Sequence, residues 1–208
     1  LIGGASAFIG RAGYPNTARY GGGLYVENSV VDCCGTVANN TASQRGGGIA
    51  ALGSSHVTLM DATVRGNTAN FHGGGIYVRD SSVNVSHTRL HRNIGQQGGA
   101  LFQEGGAAVS EVRNTLIYSN TATARLGAGI RSEGGVVSMT HTTLAQNING
   151  AGYSQSNTEG FAINSIAWGN ERGGFWVSSG PLTGACSLDQ TGTAGPALNP
   201  QFVSPGGG

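Results

Sequence analysis

The chain contains no lysine: all 11 of its basic residues are arginine, set against 10 acidic ones. Charged residues fill only 10% of the 208 positions, well below the ~25% of an ordinary globular domain. With a net charge of +1, no basic tract that follows a phosphate backbone is expected, and hence no nucleic-acid partner. Proline occurs five times, too rarely for a Pro-rich extended linker. Three cysteines, Cys33, Cys34 and Cys186, do not make a disulfide framework. No apolar run approaches the ~20 residues of a membrane-spanning helix, and no secretory leader is recognisable. Opening on Leu1-Ile2-Gly3-Gly4, the chain reads as a mature or truncated piece of something longer.

What is abundant is glycine, with 38 residues against a usual share of ~7%. The strict Gly-X-Y period of collagen is absent. The glycines instead head a repeat: Gly21-Gly22-Gly23-Leu24-Tyr25-Val26 is followed by Gly46-Gly47-Gly48-Ile49-Ala50-Ala51 and Gly73-Gly74-Gly75-Ile76-Tyr77-Val78. Gly98-Gly99-Ala100-Leu101-Phe102-Gln103 and Gly127-Ala128-Gly129-Ile130-Arg131-Ser132 continue the series at steps of 25, 27, 25 and 29. A second marker keeps the same phase. An aliphatic residue, two variable residues and an asparagine recur at Val37 and Asn40, Val64 and Asn67, Leu90 and Asn93, Ile117 and Asn120, and Leu144 and Asn147. Ala167 and Asn170 form a weaker sixth instance, and Asn16-Thr17-Ala18 echoes Asn40-Thr41-Ala42.

Between the markers, apolar residues alternate. Val57, Leu59 and Val64 match Val83, Val85 and Leu90, and later Val137, Met139 and Leu144. A spacing of two is strand periodicity, and no stretch sustains the i, i+3, i+4, i+7 pattern of a helix. A unit of about 25 residues with two or three short strands cannot bury its apolar face alone, but it can when stacked in parallel on copies of itself. The sequence therefore predicts an all-β, single-stranded parallel β-helix of about seven coils, 23–29 residues each. At ~4.8 Å per coil the rod is roughly 35 Å long. One domain is expected over 1–208, with a partial coil in 1–20, regular coils in 21–172 and an irregular coil or cap in 173–208.

Three columns invite a functional question. The asparagines Asn40, Asn67, Asn93, Asn120, Asn147 and Asn170 are expected to stack as a structural ladder at one corner, each amide bonding the next; Asn39 is an alternative register residue in the first coil. Six residues before them stand Cys34, Asp61, His87, Asn114, His141 and Asn164. His87 and His141 fall two coils apart, about 9.6 Å, too far to share one metal ion, so polar turn residues and no metal site are expected. Cys33 and Cys34 read as small buried residues. The outward position after each glycine cluster holds Tyr25, Ala50, Tyr77, Phe102 and Arg131. Aromatics exposed in a row would stack on sugar rings or on a partner surface, whereas a covering loop would turn them into a buried stack.

The paired markers resemble the repeats of the chlamydial polymorphic outer-membrane proteins and related bacterial right-handed β-helices; Val, Leu or Ile stands here where those repeats usually place Phe. The stretches Asn164-Ser165-Ile166-Ala167-Trp168-Gly169-Asn170 and Asn199-Pro200-Gln201-Phe202-Val203-Ser204-Pro205 look like the final coils of bacterial secreted β-helix proteins, which a sorting or anchoring segment often follows. The resemblance spans residues 16–205. It implies a right-handed β-helix, secreted or on a bacterial cell surface.

Pectate-lyase-like enzymes use the same kind of fold. A lyase of that type needs clustered carboxylates for Ca²⁺ and an Arg or Lys base, and a glycosidase needs two carboxylates at a set distance. The chain has only four Asp and six Glu. Glu104 and Glu133 share a column with Glu27, Leu52 and Arg79 and would lie ~5 Å apart, with Arg79 and Arg131 nearby. The leading expectation is a non-catalytic extracellular or cell-surface scaffold with no cofactor, adhesive or filament-forming, self-associating through its coil ends or belonging to a longer parent chain. The alternative is a polysaccharide-binding or polysaccharide-cleaving module using Tyr25, Tyr77, Phe102, Arg79 and Arg131, with Glu104 and Glu133 as its carboxylates.

Overall fold

Each coil of the chain contributes up to four short strands, and each strand pairs in parallel with its counterparts one coil before and one coil after. The computed structural model describes residues 7–9, 15–33 and 35–189, and all regular structure among them is β-strand. Starting from Leu24–Glu27, the chain runs through Val30–Cys33, Thr36–Ala38 and Thr41–Arg45 before returning at Ile49–Leu52. Stacking these positions gives four sheets, here called first to fourth in that order, with eight, seven, seven and five strands. The protein is thus an all-β parallel solenoid of about seven turns.

The registers reproduce the repeat. Leu24, Ile49, Ile76, Leu101, Ile130, Tyr153 and Phe175 lie opposite one another in the first sheet. They point into one continuous core with Val57, Leu59, Val83, Val85, Val137, Met139 and the aliphatic marker residues Val64, Leu90, Ile117 and Leu144. Alternation alone accounts for this, because every second side chain of a strand faces the same side.

Corners are made by single residues in the left-handed backbone region. The column six residues before the asparagines makes one of them, as expected of polar turn residues: Asp61, His87, Asn114, His141 and Asn164 all have φ between 48° and 51°. The residues just before the asparagine ladder, including Asn39, Arg92, Ser119 and Gln146, form another. At the corner between the fourth and first sheets glycine takes this role in five coils, Gly21, Gly46, Gly73, Gly98 and Gly127 having φ of 49° to 66°, and Asn149 takes it in the next with φ of 60°. The glycine that follows is required for a different reason. A Cβ on Gly47 would collide with the carbonyl oxygens of Gly74 and Thr68 in the next coil.

Polar residues inside the corners are bonded coil to coil. Each ladder asparagine accepts at Oδ1 from both the backbone N–H and the Nδ2 of its predecessor, as Asn120 does from Asn93 at 3.0 Å each. Its own Nδ2 also donates to the carbonyl of the aliphatic marker residue one coil back, Asn93 to Val64 and Asn120 to Leu90, both at 2.9 Å. The aliphatic residue and the asparagine of the second marker are therefore joined, from one coil to the next, by a hydrogen bond. Asn16 joins the ladder at its N-terminal end, and Asn40, not Asn39, is the first-coil member. Hydroxyl columns line two other corners: Ser29, Ser55 and Ser81, and Thr142, Ser165 and Ser187.

Two features mark the ends of the stack. Ala7–Ile9 pairs antiparallel with Leu24–Glu27, so the first sheet begins with a reversed strand, while Thr17–Tyr20 pairs in parallel with Thr41–Arg45 as part of a coil before the first glycine cluster. Beyond 173 the chain continues in parallel register through Phe175–Val177, Leu182–Ala185 and Leu188–Asp189; residues 190–208 lie outside the described residues, as does Cys34. Cys33 sits opposite Leu59 and packs against the edge of the core, while Cys186 is exposed at the last corner.

Candidate functional site

The left-handed glycine corner turns the end of each fourth-sheet strand over the outer face of the first sheet. Arg45 and His72 close it in, and the covered residues form a second apolar cluster of Ala50, Leu52, Tyr77 and Phe102, flanked by Tyr20 and Tyr25. The His72 ring stacks on Phe102 with centroids 4.4 Å apart and planes 13° apart. The Arg45 guanidinium lies 5.2 Å over the Tyr77 ring and donates to its hydroxyl at 2.8 Å.

This geometry corrects the expectation of an exposed aromatic row. Tyr77 and Phe102 have 0% exposure and cannot stack on a ligand. Arg131, proposed with them, is 8% exposed and gives its guanidinium to Glu133, Ser154 and Ser156. The reason is the fold-back: the sequence shows which side of its own strand a residue faces, but not which neighbouring strand lies on that side. Tyr25, near the N-terminal end, remains half-exposed and donates to Glu27 at 3.0 Å. Arg79 is exposed.

Glu104 and Glu133 are direct partners across adjacent first-sheet strands, in the column Glu27, Leu52, Arg79, Glu104, Glu133 and Ser156. Each is held by its own cation. Glu104 accepts from Arg45 at 3.1 Å and from the Tyr77 hydroxyl at 2.5 Å. Glu133 accepts from two nitrogens of Arg131 at 3.1 and 2.8 Å. The ionisable groups beside them are shifted by the same surroundings. Burial, and then the hydrogen bond to Glu104, push the Tyr77 phenol far above its ordinary range. Burial, and then the nearby Arg45 charge, hold the His72 imidazole below its ordinary value.

His87 and His141 sit at the corner between the second and third sheets and contact the amides of Asn114 and Asn164. No group of three or more His, Cys, Asp or Glu side chains arranged to hold a metal ion occurs among the described residues. Sequence reasoning missed Arg45 and His72. They share with Tyr20, Gln97 and Leu126 the position just before a glycine corner, where no residue type repeats, and only that place marks them as able to reach the neighbouring sheet.

Parallel coils, a coil-to-coil polar ladder and an interior filled by aliphatic columns define a parallel β-solenoid. The family model of the right-handed β-helix region matches residues 12–120, more than half of the chain, and the chain belongs to that family. No curated protein and no solved structure matches it.

Proposed function

We propose that the chain is a non-catalytic scaffold, extracellular or on a bacterial cell surface, built from repeats of the kind found in the chlamydial polymorphic outer-membrane proteins. The observation that carries this reading is the commitment of the carboxylate pair on adjacent first-sheet strands: Glu104 and Glu133 are each tied to an arginine, and Glu104 to a tyrosine hydroxyl as well. A general acid or nucleophile has to be able to meet substrate and exchange a proton or form a bond, and these groups are spent on each other. Adhesive or filament-forming use is supported at the ends, where Val31, Cys33 and Val37 of the first coil and Leu182 of the last are only partly buried against the core. No helix among the described residues is long and apolar enough to cross a membrane.

Incubation with a panel of acidic and neutral polysaccharides tests the reading. No unsaturated product and no new reducing ends are expected. Turnover that Glu104→Gln abolishes would overturn it, and electron microscopy reports whether the rods join end to end.

Polysaccharide binding without cleavage is a second reading, favoured by Trp176. It extends the column of Tyr77, Phe102, Arg131 and Ser154 to the coil where the fourth-sheet strands have stopped, and it is 42% exposed. Glycan binding lost on Trp176→Ala would support this reading over a purely structural one.

A further inference from the structure

The third sheet carries an outward face unlike the rest of the surface. Its strands Thr63–Arg65, Arg89–His91, Leu116–Tyr118, Thr143–Ala145 and Ile166–Trp168 are three residues long and stack in register. One outward column reads Arg65, His91, Tyr118, Ala145, Trp168, and the other reads Thr63, Arg89, Leu116, Thr143, Ile166. Neither column contains a carboxylate. Asp189, in the last strand, belongs to the inward Ala167 column and is buried. The carboxylates nearest along the chain, Asp61 and Glu171, fall outside these strands.

The face has two halves. At the end toward the first coils Arg65, Arg89 and Arg92 are exposed around His91. None takes part in any of the three ion pairs among the described residues, and their combined charge, after burial, helps hold His91 below its ordinary value. Toward the later coils the surface is apolar: Leu116, Ile166 and Trp168 are 37–40% exposed, and Ile163 joins them across the corner at 39%. Tyr118 connects the halves, its ring stacked on His91 at 4.7 Å and 9°. On a chain with only +1 net charge, three arginines outside any ion pair repel one another and the four large apolar side chains beside them are left in water, an arrangement that packing within the chain does not require.

We propose that this face docks on an anionic lipid surface, with Arg65, Arg89 and Arg92 at the headgroups and Leu116, Ile163, Ile166 and Trp168 entering the boundary below them. Arginine suits the planar, multidentate recognition of phosphate. Tyr and Trp suit the water–hydrocarbon boundary because one end of each ring system is polar. The aliphatic side chains favour lipid over the other polyanions. A sugar chain or a nucleic acid gains from cations and from ring stacking, but little from an exposed leucine and two isoleucines. Three-residue strands stacked in register, with Arg92 and Ile163 at their flanking corners, turn these groups to one side of the solenoid, as contact with a membrane plane requires. This inference goes beyond the scaffold reading and does not rest on it.

Co-sedimentation of the full chain with vesicles tests it. Vesicles of phosphatidylcholine with one-third phosphatidylglycerol should bind and those of phosphatidylcholine alone should not, and high salt should weaken the binding. At about fivefold per arginine, the combined Arg65→Gln, Arg89→Gln, Arg92→Gln variant should lose on the order of a hundredfold in partitioning. Arg172→Gln, outside the face, should lose little. The two tryptophans of the chain make the orientation readable. In Trp176→Phe the remaining Trp168 emission should shift to the blue on anionic vesicles, and in Trp168→Phe the Trp176 emission should not. Equal binding to neutral vesicles, an unaffected triple variant, or a shift confined to Trp176 would each overturn the proposal. So would binding to a soluble acidic polysaccharide without binding to vesicles.

Discussion

The Oδ1 atom of Asn120 accepts two hydrogen bonds from Asn93 one coil earlier, from its backbone N–H and from its side-chain Nδ2, both at 3.0 Å. The relation is repeated from Asn40 to Asn147, with 0–3% exposure throughout. It makes the ladder a property of neighbouring pairs.

Replacing a central rung should therefore be costly. Asn93→Ala leaves the Asn67 N–H and the Val64 carbonyl, both buried, without the partners they have now. At about 1–3 kcal/mol for each orphaned group, a loss of about 2–6 kcal/mol is expected. Asn16→Ala, at the half-exposed end, should cost less than about 1 kcal/mol. Urea unfolding of the two variants side by side checks the difference, and equal losses would argue against a cumulative ladder.

The covered aromatics make a second prediction. Phe102 is fully buried beneath His72, so Phe102→Ala should cost about 3–5 kcal/mol. Tyr25→Ala, at a half-exposed position, should cost far less. Were the column a solvent-facing platform, both substitutions would leave thermal stability almost unchanged.

Glycines that look alike in the repeat should respond differently to the same change. Gly47→Ala drives a methyl group into the backbone of the next coil and should destabilise by at least about 2 kcal/mol. A Cβ on Gly106 meets nothing within 4 Å, so Gly106→Ala should stay within about 0.5 kcal/mol of the wild type. Melting temperatures suffice to separate the two.

Alkaline titration offers a fourth check. Burial raises Tyr153, and burial with the Glu104 hydrogen bond raises Tyr77. A group raised on folding keeps its proton in the native state above pH 10, where the unfolded chain releases it. Stability from these two residues is therefore complete below pH 10 and falls as pH rises beyond it. In the ultraviolet phenolate spectrum, two of the six tyrosines should ionise only together with unfolding. A smooth titration of all six in the folded protein would contradict the buried geometry.

Most of the fold was legible because it is written many times. The glycine cluster and the aliphatic-x-x-Asn marker keep one phase over at least five coils, and period-two alternation between them identifies the interior residues. The hydroxyl columns are hard to see in the sequence because Ser and Thr are common and because Ala62 stands before Thr88 in one column and Ala108 after Ser81 in the other. Arg45 and His72 escaped because each occurs once.

What the sequence determined by itself was the repeat, the coil number, the core-facing residues and the asparagine corner, all local or periodic properties. Only the tertiary structure decided the fate of Tyr77, Phe102 and Arg131. Alternation assigns them to the outer side of their strand, but whether that side is wet depends on the angle at the Gly46 and Gly73 corners. Those corners bring Arg45 and His72 across the face. The same limit hid the third-sheet surface, where Arg65 and Trp168 are separated by about a hundred residues along the chain. Parallel stacking alone sets them in one column, four rungs apart.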